Sequence, residues 1–139
     1  MPRLHHNHLP TGLSQEQAAA RRADVVPVEI PSAVFEALAA ARVRMIFVVP
    51  VNGALLAAPR RHHEEDISHA VLADGDPVLA ADEFDAEIIG PQFFVSSLNN
   101  MSGHYQPSAD GLAIAHRAFE TAGISVRPDA INSYDWEAP

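Results

Sequence analysis

The chain has no cysteine, and arginine alone supplies its basic charge, because lysine is absent too. Without cysteine there are no disulfides, no thiolate metal sites and no thiol nucleophile, and the redox compartment stays open. Nine basic residues face 18 acidic ones, for a formal net charge of −9. So acidic a chain repels phosphate backbones, which disfavours broad nucleic-acid binding unless the arginines cluster. Long apolar runs are missing as well. None approaches the roughly 20 residues of a membrane span, and the N-terminus lacks the apolar core of a signal peptide. The expectation is a protein of the cytoplasm, or one exported without a signal peptide, that does not enter a membrane. What is present is ordinary for a folded domain. The chain is 47% hydrophobic and 19% charged, and 139 residues suffice for one domain with its own core.

Residues 1–23 read as an N-terminal arm with a short helix, 24–128 as a single α+β domain, and 129–139 as a polar tail in which Tyr134 and Trp136 are candidate anchors. His5, His6 and His8 admit a metal-binding reading, but nothing in the arm fixes ligand geometry, so a solvated arm is expected. Ser14 and Gln17 have capping-box spacing and predict a short surface helix. Residues 25–30 are β-branched but carry Pro27, which marks an edge strand. Ser32 caps a helix whose apolar face holds Val34, Leu38 and Ala41. Residues 44–51 form a strong strand pattern, Asn52-Gly53 is the best hairpin signal, and residues 54–58 return. His62, His63, Glu64 and Glu65 lie in a charged loop; adjacent side chains diverge in most backbone states, so a solvated loop is expected rather than a metal site.

Residues 67–72 read as a short strand, with a tight turn at Gly75. Residues 77–88 form a longer extended run, broken by Gly90-Pro91, and 93–98 return. Ser108 is expected to cap the last helix, with Asp110 in its first turn, Leu112, Ala115, Phe119 and Ala122 as its buried stripe, and Gly123 as its stop. Residues 124–126 add a small strand. The order predicts an α+β fold: an antiparallel meander of about five strands, one helix before it and one after, with helices on one face.

The polar chemistry collects in residues 67–108. His69 shares a strand face with Ile67 and Val71 in this reading. Glu83 lies beside Leu79 and Ala81, where partial desolvation suits a carboxylate to proton transfer. Ser102-Gly103-His104-Tyr105 is the strongest local signal: a small pair that lets backbone approach a ligand, then a proton carrier and an aromatic hydroxyl. Pro107 and Ser108 lead out of it. The alternative is a strand-to-helix connection in which His104 and Tyr105 cap and pack.

The pattern His69, then Asp76-Pro77-Val78, Ala80-Ala81-Asp82-Glu83 and Ser102-Gly103-His104-Tyr105-Gln106-Pro107-Ser108, resembles a module of bacterial polymorphic toxins and effectors, found at their C-termini, and of plant IQ-motif calmodulin-binding proteins. The likeness spans about residues 44–125, and the Ser-Gly-His-Tyr-x-Pro segment is its specific part. The chain departs from it at Ala70 and Val71, where the module tends to have serines, and at Asp82, where it has glycine. The resemblance names a module and implies no particular reaction.

Two functions follow as expectations. The first is a toxin- or effector-like domain with metal-independent acid–base chemistry on a nucleotide or phosphodiester, as transferase or hydrolase and without a cofactor. His69, Glu83 and His104 would be catalytic, with Ser102, Gly103, Tyr105, Ser108 and Arg44 binding substrate. A small nucleotide such as NAD suits the charge better than RNA, because Arg42, Arg44, Arg60 and Arg61 offer a local basic patch. The second is a non-catalytic acidic interaction module, an immunity-like protein or an oligomer subunit, that meets a protein partner. Convergence of His69, Glu83 and His104 in one open cleft would favour the first.

Overall fold

The computed structural model describes residues 4–133, so Tyr134 and Trp136 lie outside the described residues. Its centre is explained by one stretch. Met45, Ile46, Phe47, Val48 and Val49 are five consecutive apolar residues, each no more than 2% exposed. A strand with one wet face alternates apolar with polar residues; a strand without alternation must be covered on both. Strand β2 (Met45–Pro50) is covered in this way. Met45, Phe47 and Val49 pack with Phe35 and Ala39 of helix α2 (Ala33–Ala40) and with Leu112, Ala115 and Phe119 of α4 (Asp110–Thr121). Ile46 and Val48 pack on the other face with Ala20 of α1 (Leu13–Arg22) and Ala70, Leu72 and Ala73 of α3 (His69–Ala73).

The described residues thus hold four α-helices on two faces of a seven-stranded sheet. This corrects the expected antiparallel meander of about five strands, with one helix before it and one after in sequence and only one face covered. The main hairpins are as read. β2 turns at Asn52-Gly53, where Gly53 has φ +82°, into β3 (Leu56–Pro59). β6 (Val78–Ile89) turns at Gly90 into β7 (Gln92–Asn99). The edge strand β1 (Val28–Glu29) pairs with β3. The meander is broken because β4 (Arg61–His62), β5 (Glu65–Asp66) and α3 intervene after β3, and the chain then returns on the other side of β2. It also ends parallel: α4 carries the chain back, as a parallel connection requires, so β8 (Ser125–Val126) and β9 (Ile131–Asn132) both run parallel to β7.

Several local readings change. The buried residues of α2 are Phe35 and Ala39, while Val34 and Ala41 of the expected apolar face are exposed. Residues 69–73 are a helix, not a strand, because β3 and β6 occupy both edges of β2. The buried positions Ile67, Ala70 and Ala73 recur every three residues, a helical period. Ser14 does not cap α1; that helix follows a turn at Pro10–Gly12, and Gly12 is its N-cap. Ser108 does not cap α4, whose N-cap is Ala109. Ser32 does cap α2, its Oγ accepting from the Phe35 N–H at 3.1 Å, and Gly123 follows the end of α4 at φ +84°.

Residues read as a solvated arm make defined contacts. His5 exchanges two backbone hydrogen bonds with Val78, at 2.8 and 2.9 Å. The Ser108 N–H donates to His5 Nε2 at 3.1 Å, and the His8 N–H donates to the His104 carbonyl.

Candidate functional site

An open cleft of about 400 Å³ lies on the α1/α3 face of the sheet. Its lining includes His69, Glu83, Ser102, Gly103 and His104, five of the residues singled out by sequence, together with Glu16 and Arg60. Each arrives by a separate route. His69 is the first residue of α3; Glu83 is on β6 opposite Ile46 of β2; residues 102–104 follow β7; Glu16 is on α1.

Glu16 ties the cleft together. Its Oε2 lies 2.5 Å from Nε2 of His104, and its Oε1 accepts from the Ser68 hydroxyl at 3.3 Å. A carboxylate only accepts, so the contact places the His104 proton on Nε2 and leaves Nδ1 as the acceptor when the ring is neutral. The His104 main chain is held as well, by the bond from His8.

His69 is held differently. Its Nε2–H donates to the Asp82 carbonyl at 2.9 Å. Burial, against a smaller opposing effect of that hydrogen bond, pushes its pKa down to about 4, with the His104 ring and Arg60 acting in the same direction as burial. The ring is therefore neutral at pH 7, with Nδ1 as a lone-pair acceptor.

Glu83 is gripped by two arginines. Arg44 Nε donates to one carboxylate oxygen at 3.2 Å and Arg60 Nε to the other at 3.3 Å. Arg44 also reaches Asp85 at 3.0 Å. Arg44 serves this ion-pair network and is absent from the cleft lining.

Two other expected substrate contacts are also used structurally. Tyr105 is 1% exposed, and its hydroxyl donates to the Asp76 carbonyl at 2.8 Å. Burial and the nearby charges of Asp76 and Glu16 push its pKa up to about 12. Ser108 is engaged with His5 through both its N–H and its hydroxyl. Neither lines the cleft. Asp82 points the opposite way from Glu83, paired across the ladder with Phe47. Its carboxyl is fully buried, neither oxygen has a hydrogen bond among the described residues, and burial raises its pKa well above the usual carboxylate range.

Sequence reasoning missed Glu16, because 88 positions separate it from His104 and its local signal was that of a surface helix. Arg60 was visible only as part of a basic run. Among the described residues no group of three or more histidine and acidic side chains is arranged to hold a metal ion. No protein-family model, curated protein or solved structure matches the chain.

Proposed function

We propose that the cleft is an acid–base site in which the Glu16–His104 pair moves a proton during hydrolysis of, or group transfer from, a nucleotide or phosphodiester. The observation that carries this reading is the Glu16–His104 contact inside a cleft that also holds His69 and Ser102. A carboxylate that fixes the tautomer of a histidine and faces the charge developing on it is a recurrent device for proton transfer. His69, neutral at pH 7, serves as a hydrogen-bond acceptor for substrate. Its depressed pKa makes it a weaker base than an unshifted imidazole. Glu83, neutralised by two arginines, shapes the cleft and is not the proton carrier. A toxin- or effector-like role rests on the resemblance over about residues 44–125 alone; the cleft geometry does not bear on it.

A second reading, a non-catalytic acidic module that binds a basic protein, is favoured by the structural use of Tyr105 and Ser108 and by the net charge of −9.

The deciding experiment incubates the protein with NAD, ATP and a short RNA and follows products by chromatography. The expected result is turnover of one substrate, reduced by about 10²–10⁴-fold in His104→Asn. No turnover of any of them, or turnover that His104→Asn leaves intact, rejects the catalytic reading.

A further inference from the structure

Arg60 stands apart from the other arginines near the cleft. Its backbone is fixed on both sides: its N–H donates to the Arg44 carbonyl, and its own carbonyl accepts from the Ile67 N–H, each at 2.9 Å. Its side chain lines the cleft. The guanidinium spends only Nε, on Glu83. Among the described residues, neither terminal nitrogen has a hydrogen-bond partner. Arg44, in contrast, is divided between Glu83 and Asp85, and Arg61 turns to the Glu64 carbonyl and Asp66. The unspent edge of Arg60 carries two parallel N–H donors, the geometry that matches a phosphate or carboxylate.

Glu83 does not consume this donor edge. One of its oxygens is met by Arg44, and the other accepts the Arg60 Nε–H, a contact that orients the guanidinium and leaves its terminal nitrogens clear. The other carboxylates of the lining compete little. Glu16 is engaged by His104 and Ser68. Asp66 lies at the rim, its side chain 80% exposed, 4.0 Å from Arg61, where solvent screens it.

We propose that Arg60 receives a single oxyanion group of the substrate beside His104, with Glu83 as the residue that positions it. This deepens the acid–base reading and rests on it for the meaning of "substrate". It also narrows the class. One arginine in the cleft lining, on a chain of charge −9, suits a small molecule with one phosphate or carboxylate and disfavours a polyanionic strand.

The test is an NMR titration of the full chain with inorganic phosphate, AMP, acetate and a short RNA. It compares wild type, Arg60→Gln, Arg60→Lys and the remote control Arg127→Gln, each checked for folding by circular dichroism. Expected are shifts of the Arg60 side-chain and His104 ring signals with phosphate and AMP or with acetate, the two arms separating the oxyanions. Arg60→Gln should weaken binding about tenfold, Arg60→Lys should recover part of it, and Arg127→Gln should match wild type. Unchanged affinity in Arg60→Gln, absence of shifts with all probes, or tightest binding of RNA overturns the proposal. Loss of turnover in His104→Asn with unchanged binding in Arg60→Gln refutes the Arg60 assignment alone. The reverse pattern refutes the proton-transfer reading and leaves Arg60 as an anion site.

Discussion

The Glu16 carboxylate lies 2.5 Å from His104 Nε2, although 88 positions separate the two residues. The contact exists because the N-terminal residues pack onto the body of the domain. Ala20 and Ala23 are buried against the α1/α3 face of the sheet, and His5 pairs with Val78. The helix that helps cover a core face therefore also supplies the partner of the candidate proton carrier.

Asp82 predicts a loss of stability toward alkaline pH. Its folded pKa is raised by burial, so the folded state holds the proton more tightly than the unfolded chain does. Its contribution is fully present below the unfolded value of about 3.9 and is lost as pH rises through the folded value. Urea unfolding followed upward from pH 4 should show wild type losing stability relative to Asp82→Asn as pH rises. Parallel curves for the two proteins would contradict the assignment.

His69 acts with the opposite sign. Its folded pKa is about 4, below the ordinary 6.5. Protonation of the unfolded chain therefore lowers stability as pH falls from 6.5 toward 4. The shift corresponds to about 3 kcal/mol at its limit, partly offset in the same window by Asp82. His69→Gln should unfold with a shallower dependence on pH between 4 and 6.5 than wild type. An unchanged slope would show that His69 does not titrate as its burial requires.

Tyr105 separates structure from site. Removing its hydroxyl in Tyr105→Phe leaves the Asp76 carbonyl without that donor and should cost about 1 kcal/mol in denaturant unfolding. The variant should leave ligand-induced shifts of the cleft residues as in wild type. A stable Tyr105→Phe that no longer responds to ligand would return Tyr105 to the binding site.

What was legible in the sequence was local. Asn52-Gly53 marked the β2–β3 turn, Ser32 the start of α2, Gly90 the β6–β7 turn and Gly123 the end of α4, because each signal acts within a few residues. Sheet order was not legible, since it depends on which edge of β2 remains open when β6 arrives. The unbroken apolar run from Met45 to Val49 did carry the information that both faces are covered. The six-residue apolar-rich run around His69 suits either a strand or a helix period, and tertiary pairing decides for the helix. His69, Glu83, Ser102 and His104 line one cleft, while Tyr105 and Ser108, beside them in sequence, serve packing and the N-terminal contact. Glu16 had no local feature that distinguished it from any solvated helix acid.

The measurement that bears most directly on the proposed site is a long-range ¹H–¹⁵N spectrum of the histidine rings, recorded above the titration range in wild type and Glu16→Gln, with and without NAD, ATP and a short RNA. The account predicts that neutral His104 carries its proton on Nε2 in wild type, that this preference is lost or mixed in Glu16→Gln, and that one ligand shifts the His104 signals. A proton on Nδ1, or a spectrum that neither Glu16→Gln nor any ligand changes, would contradict it.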